Sequence, residues 1–166
     1  MDTRPPVDIS VASLPEHLAG ARALFEEYAE QLGLDLQFQG FAQELAALPG
    51  DYTEARGGTL LLAWVDGELA GCCALRAIED VDYPNASEMK RLFVRKAFRG
   101  FGLGRQLAEA ILEAAVRLGY DCVLLDTLDD MESARALYEE LGFEEIPPYY
   151  HNPLPGAHYL KVDLRA

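Results

Sequence analysis

Six residues at positions 99 to 104, Arg-Gly-Phe-Gly-Leu-Gly, lie between an extended segment and a long amphipathic one, an order suited to holding an anion. The first turn of a helix carries backbone N–H groups with no intrahelical partner, and the peptide dipoles add partial positive charge there. Glycines let a phosphate approach those amides closely. Upstream, Glu88 to Val94 reads as a strand, and downstream Leu103, Leu107, Ile111, Ala114 and Leu118 recur at helical spacing. Positions 90 to 105 also hold Lys90, Arg91, Arg95, Lys96, Arg99 and Arg105 with no acidic residue, although the whole chain carries a formal net charge of -14. A basic island in an acidic protein points to a bound polyanion.

What the loop lacks narrows that ligand. A nucleoside-triphosphate loop needs Lys-Ser or Lys-Thr at the helix start, and here Gly104 is followed by Arg105 and Gln106. The dinucleotide fingerprint needs GxGxxG, whereas this chain has GxGxG. The spacing that remains is Arg-x-x-Gly-x-Gly, formed by Arg99, Gly102 and Gly104.

The elements that position this loop follow from periodicity. Val7 to Val11 alternates, and a helix is predicted from about Leu14 to Leu32, with Ser13 as cap, Leu18, Ala21, Phe25, Tyr28 and Leu32 as its stripe, and Gly33 as its stop. A shorter helix is predicted over Phe38 to Leu48. Residues 59 to 65 and 68 to 78 form two strands around Asp66-Gly67, a strong hairpin signal. After the strand, loop and long helix comes a near-continuous apolar strand at Cys122 to Leu125, then a helix over about Met131 to Leu141 closed by Gly142. The tail returns to extended structure, with a proline-rich loop and a final strand at about His158 to Leu164.

Composition sets the frame. A chain of 166 residues, 50% of them hydrophobic, is expected to form one domain, 1–166, long enough to bury roughly 68–70% of its unfolded surface. No basic segment with an apolar run opens the chain and no 18-residue apolar stretch occurs, so neither export nor membrane insertion is expected and a cytoplasmic location is the default. The three cysteines lack metal-type spacing, and Cys72 and Cys73 point to opposite faces of a strand, which reads as buried free thiols. A pI near 4.5 argues against nucleic acid as partner and fits a cationic acceptor, or acidity serving solubility alone.

The order β-α-α-β-β-β-α-β-α-β-β, the Arg-x-x-Gly-x-Gly loop, the segment ARALYEELGF at 134 to 143 and the ending NPLPGAHYLKVDL together resemble small bacterial members of the GCN5-related N-acetyltransferase (GNAT) superfamily. The resemblance covers essentially the whole chain. It implies an α/β fold with a mixed, mostly antiparallel central sheet splayed between the fourth and fifth strands and flanked by about four helices. It also implies an acetyl-CoA-dependent N-acetyltransferase with acetyl-CoA as acyl-donor co-substrate, no metal and an amine acceptor. On this resemblance the pyrophosphate lies on Arg99, Gly100, Phe101, Gly102, Leu103, Gly104 and Arg105, and the pantetheine arm follows the main chain of Leu92, Phe93 and Val94. A main-chain N–H near Phe93 or Val94 would polarise the thioester carbonyl. Many relatives have Asn where this chain has Met131.

The same resemblance makes Glu88 the general base and Tyr138 the general acid that protonates the leaving thiolate. Each has a second reading: Glu88 as a solvent-facing strand residue alternating with Lys90, and Tyr138 as an aromatic filling the stripe beside Leu137 and Leu141. The acceptor region offers Tyr28, Glu79, Asp80, Asp82, Tyr149, Tyr150, His151 and Asn152. The expected acceptor is a primary amine on a small molecule such as an amino acid, polyamine or antibiotic. The alternatives are a protein or peptide amine, or a CoA-binding regulatory module without turnover. Neither nucleic acid nor membrane is an expected partner, and the chain is expected to be a monomer or, by pairing of its C-terminal strand, a homodimer.

Overall fold

Asp66 and Gly67 both take left-handed backbone angles (φ 51° and 81°), and the two-residue turn they form sets Val65 opposite Glu68. From this hairpin grows a sheet that the computed structural model describes over residues 6–33, 40–100, 102–128, 132–152 and 156–164. The strands are β1 (Val7–Val11), β2 (Thr59–Val65), β3 (Glu68–Ile78), β4 (Ala86–Val94), β5 (Cys122–Leu128), β6 (Glu144–Ile146) and β7 (Ala157–Asp163). The helices are α1 (Pro15–Leu32), α2 (Phe41–Ala47), α3 (Leu103–Arg117) and α4 (Glu132–Glu140). Strand order is β1-β2-β3-β4-β5-β7-β6, antiparallel throughout except where β4 meets β5. The mixed, mostly antiparallel sheet and its four helices agree with the expected architecture.

Alternation along the strands builds a core on each face of the sheet, with a smaller cluster of Ala86, Cys122 and Leu124 where β4 pairs with β5. Leu61, Ala63, Cys73, Leu75, Met89, Val123 and Leu125 meet α3 and α4 on one face. On the other, Leu60, Leu62, Cys72, Ala74 and Phe93 meet Ala21, Leu24 and Phe25 of α1, with Phe41 and Leu45 of α2 at the margin. Cys72 and Cys73 therefore do part to opposite faces as expected, both fully buried and free. Each thiol also has a backbone partner, Cys72 donating to the carbonyl of Arg91 at 3.3 Å and Cys73 to that of Lys90 at 3.8 Å.

Several element ends differ from the sequence reading. Leu14, not Ser13, is the N-cap of α1, and the imidazole Nδ1 of His17 accepts from the N–H groups of both Ser13 and Leu14 at 3.3 Å each. A side chain reaching back from the first turn thus replaces the cap. Helix α2 starts at Phe41, and residues 38 and 39 lie outside the described ones, as does Met131 at the expected start of α4. Strand β5 runs three residues past Leu125, because β7 pairs with it as far as Leu128. Gly33 and Gly142 end α1 and α4 as expected, with φ 66° and 95°. Among the described residues no helix is long and apolar enough to cross a membrane.

Candidate active site

Strands β4 and β5 are in register only at Ala86 with Cys122, Ser87 with Val123 and Glu88 with Leu124, after which they part. A bulge in β4 is the local cause. Cys72 pairs with Phe93 and Ala74 with Lys90, so Cys73 stands opposite two residues, Arg91 and Leu92. Arg91 takes φ 62°, and such a bulge bends the strand and increases its twist. It also shifts the alternation. Met89, then Leu92 and Val94, pack on the α3/α4 side, while Arg91 and Phe93 join the α1/α2 side. Beyond Glu88 no described strand pairs with β4 on its β5 side, so the main chain of Leu92, Phe93 and Val94 borders an open fork.

The loop from 99 to 104 closes the wide end of that fork. Arg99 donates from Nε to the carbonyl of Val94 at 2.8 Å and from Nη2 to Gln31. Gly100 and Gly102 take φ 89° and 76°, and Gly102 caps α3, its carbonyl accepting from Gln106 at 3.1 Å. Leu103 is buried and anchors the helix, while Phe101 lies outside the described residues. Gly104 is different. Its φ is not positive, and an added Cβ would meet only Leu137 and Val94, each at 4.0 Å. Neither backbone nor packing requires glycine there.

The basic island changes character in three dimensions. Arg91 pairs with Glu44, Arg95 with Glu27, Arg105 with Glu109 and Glu140, and Lys90 stands 4.0 Å from Glu88. Carboxylates stand beside four of the six cations that the sequence places together, and for Arg91, Arg95 and Arg105 they come from distant segments. The α3 amides and dipole add partial positive charge at the loop, beside Arg99, which bonds to the Val94 carbonyl and to Gln31.

At the narrow end, Glu88 is 1% exposed, which excludes the solvent-facing reading. Its Oε1 accepts from Arg76 Nε at 2.8 Å and its Oε2 from the Tyr149 hydroxyl at 2.7 Å. Burial lowers the pKa of Lys90 and raises that of Tyr149, where the charge of Glu88 adds to the effect. A cavity of about 940 Å³ opens over this cluster on the α2 side. Its wall carries both signs, with Glu44, Asp51, Glu79, Asp80 and Glu88 facing Arg56, Arg76 and Lys90. Of the expected acceptor residues, Glu79, Asp80, Tyr149 and Tyr150 line it. Tyr28 packs instead against Phe93 and beside Arg91, and Asp82 and His151 are exposed.

Tyr138 approaches from the other face of the sheet. It is 7% exposed within the α3/α4 core and stands edge-on to Phe143 at 5.6 Å. Burial holds its pKa well above the usual phenol value, so the hydroxyl stays protonated at neutral pH. Asp126, which the sequence reading missed, follows Leu124 on the same face of β5 and accepts from Tyr150 at 2.5 Å and Asn152 Nδ2 at 3.0 Å. The available signal was an Asp directly after the buried run Cys122 to Leu125.

Among the described residues the sheet forks at its one parallel pair, with a glycine-led helix start at the open end and a polar cavity at the closed end, the arrangement that the resemblance to N-acetyltransferases implies. The chain belongs to the acetyltransferase (GNAT) family, whose profile matches residues 21–143. An uncharacterized N-acetyltransferase of Schizosaccharomyces pombe is 37% identical over 158 residues, 95% of each chain. N-acetylaspartate synthetase of Homo sapiens is 34% identical over 113 residues, 68% of this chain and 36% of that one. Among solved structures, a GNAT-family acetyltransferase from Staphylococcus aureus superposes with a TM-score of 0.77 at 20% identity, over 96% of this chain and 100% of the other. A Salmonella typhimurium structure described with its cofactor acetyl-CoA gives 0.70 at 18% identity, over 96% and 94%. These two share the fold.

Proposed function

We propose that the chain moves an acetyl group from acetyl-CoA directly to the primary amine of a small-molecule acceptor, and that an amino acid is the acceptor class the site fits best. The carrying observation is the fork itself: a slot bordered by unpaired main chain, with helix amides at one end and the polar cavity at the other. An acceptor that carries a carboxylate beside its amine matches a wall of mixed sign. Aspartate, from which human N-acetylaspartate synthetase takes its name, has that chemistry.

In this reading the amides at 99 to 104 hold the pyrophosphate, and Arg99 braces the loop through Val94. Leu92, Phe93 and Val94 hold the arm through their main chain, and an N–H near Phe93 or Val94 stabilises the carbonyl oxygen as the amine nitrogen attacks the thioester carbon. Glu88 receives the amine proton. Both of its oxygens are already bonded, so the proton travels through the Tyr149 hydroxyl, which donates its own proton to Oε2 as it accepts one. Arg76 and Lys90 hold the acceptor's carboxylate. Tyr138 gives its proton to the sulfur as the C–S bond breaks; because a phenol (about 10) is a weaker acid than a thiol (about 8.5), the transfer is uphill by itself and is drawn forward by collapse of the tetrahedral intermediate, the tyrosinate then regaining a proton from water.

Calorimetric titration with acetyl-CoA tests the donor first, because no acceptor is needed. Thiol release is then followed over a panel of amino acids, diamines and peptides. Turnover on amino acids ahead of the other classes supports the proposal, whereas turnover only on peptide N-termini refutes the small-molecule acceptor.

A further inference from the structure

Asp126 stands at the fork with only uncharged hydrogen-bond partners among the described residues, whereas Glu88 has Arg76 and Glu44 has Arg91. Tyr150 and Asn152 both donate to its Oδ2, at 2.5 Å and 3.0 Å, and Oδ1 keeps its lone pairs for a further donor. Tyr150 lines the acceptor cavity, so Asp126 lies one hydroxyl beyond that wall, toward β5. Its charge is felt on both faces of the sheet. Burial raises the pKa of Tyr28 of α1 and of Tyr138 of α4, and the Asp126 carboxylate adds to both.

Register sets the height of this carboxylate in the fork. Asp126 is two residues past Leu124, the β5 partner of Glu88, and Lys90 is two residues past Glu88, so the acid and the lysine stand level on the two prongs. On β3, Cys72 pairs with Phe93, Ala74 with Lys90 and Arg76 with Glu88. At ~3.3 Å per residue, Phe93 is therefore about 7 Å from the level of Asp126 and about 13 Å from that of Glu88. A nitrogen about 3 Å from a carboxylate oxygen and about 3–3.5 Å from the carbon it attacks spans roughly 6 Å. That length bridges the step from Asp126 and falls short of the step from Glu88.

We infer that Oδ1 of Asp126 holds the ammonium group of the acceptor in the fork and selects acceptors that arrive as cations. This rests on the proposed site of the thioester carbonyl near Phe93. An α-amino acid carries its amine and its carboxylate on one carbon, which suits an acidic and a basic side chain at one level. The parting of β4 and β5 after Glu88 leaves the gap between the two side chains that this carbon fills.

The test takes the best acceptor from the amine panel and its analogue with hydrogen in place of the reacting amine, and reads both dissociation constants by calorimetry on the full chain saturated with CoA. In the unaltered protein the analogue should bind about 10-fold more weakly or worse, the loss of a charged hydrogen bond. Asp126→Asn keeps an oxygen for the Tyr150 hydroxyl and loses the charge. It should weaken the amine about 10-fold or more and leave the analogue and acetyl-CoA within about two-fold, which also shows that the variant is folded. Equal weakening of amine and analogue assigns Asp126 to bracing the loop and overturns the anchor. Should the variant fail to fold, the unaltered protein decides, since equal affinity for amine and analogue overturns the anchor as well. A best acceptor without a carboxylate that still loses affinity in Asp126→Asn removes the amino-acid reading and leaves the anchor standing, whereas turnover of no amine overturns both.

Discussion

Arg91 of β4 donates from Nε and Nη2 to the two carboxylate oxygens of Glu44 of α2, each at 2.9 Å, and this fork ties the bulge of β4 to the wall of the cavity. The guanidinium is buried, with Phe41 at 5.2 Å and Tyr28 at 5.8 Å from its carbon. It sits on a residue at φ 62°, a conformation that costs a residue with a Cβ roughly 1–2 kcal/mol. In this conformation the side chain has a bidentate partner.

Removing the carboxylate leaves a buried charge alone. Glu44→Ala is therefore expected to destabilise the fold by about 3–5 kcal/mol, and the double variant with Arg91→Met should recover much of the loss. Urea unfolding of the single and double variants measures this. A loss below ~1 kcal/mol would mean that water reaches the guanidinium and the pair is not structural.

The glycines of the loop should separate ligand binding from folding. Gly104→Ala meets no close atom and adds no backbone strain, so the melting temperature should hold or rise slightly, while acetyl-CoA affinity should fall about ten-fold as the methyl covers the first turn. Gly102→Ala should lose stability as well, because φ 76° favours glycine. Melting curves set beside calorimetry distinguish the two.

Glu88 and Tyr138 stand on opposite faces of the sheet, so their losses should differ from those at the loop. Glu88→Gln and Tyr138→Phe are each expected to lower kcat by about 10² or more while acetyl-CoA binds within two-fold of normal. Parallel losses in acetyl-CoA affinity would assign the residue to packing instead.

Alkaline pH should unfold this chain early. Burial raises the pKa of Cys72, Cys73 and Cys122, and of Tyr28, Tyr52, Tyr138, Tyr149 and Tyr150. A group whose folded pKa lies above its unfolded one contributes fully below the unfolded value, and that stability is lost as pH rises through the folded value. Losses should begin above about pH 8.5 with the thiols and steepen above about pH 10 with the phenols, each group adding up to ~1.4 kcal/mol per pH unit. Lys90 opposes this, since its lowered pKa adds stability as pH rises. A urea midpoint that stays constant from pH 7 to 11 would contradict the balance.

Much of the chain was legible one segment at a time. Asp66-Gly67, Gly33 and Gly142 announced their turns because a left-handed backbone is a local steric demand, and Cys72 and Cys73 announced their burial because strand alternation is local too. The loop at 99 to 104 was legible for the same reason, as a glycine-led helix start depends on neighbours in sequence. Tertiary structure alone decided the rest. The bulge at Arg91 reset which β4 residues share a face, and the partners Glu27 for Arg95, Glu44 for Arg91 and Glu140 for Arg105 arrive from 35 to 68 positions away. The Tyr149 bond to Glu88 and the Tyr150 bond to Asp126 likewise span 61 and 24 positions. Backbone sterics and side-chain periodicity are written within a few residues, whereas charge pairing and the shape of a slot depend on strand order and register, which bring together residues that no local pattern connects.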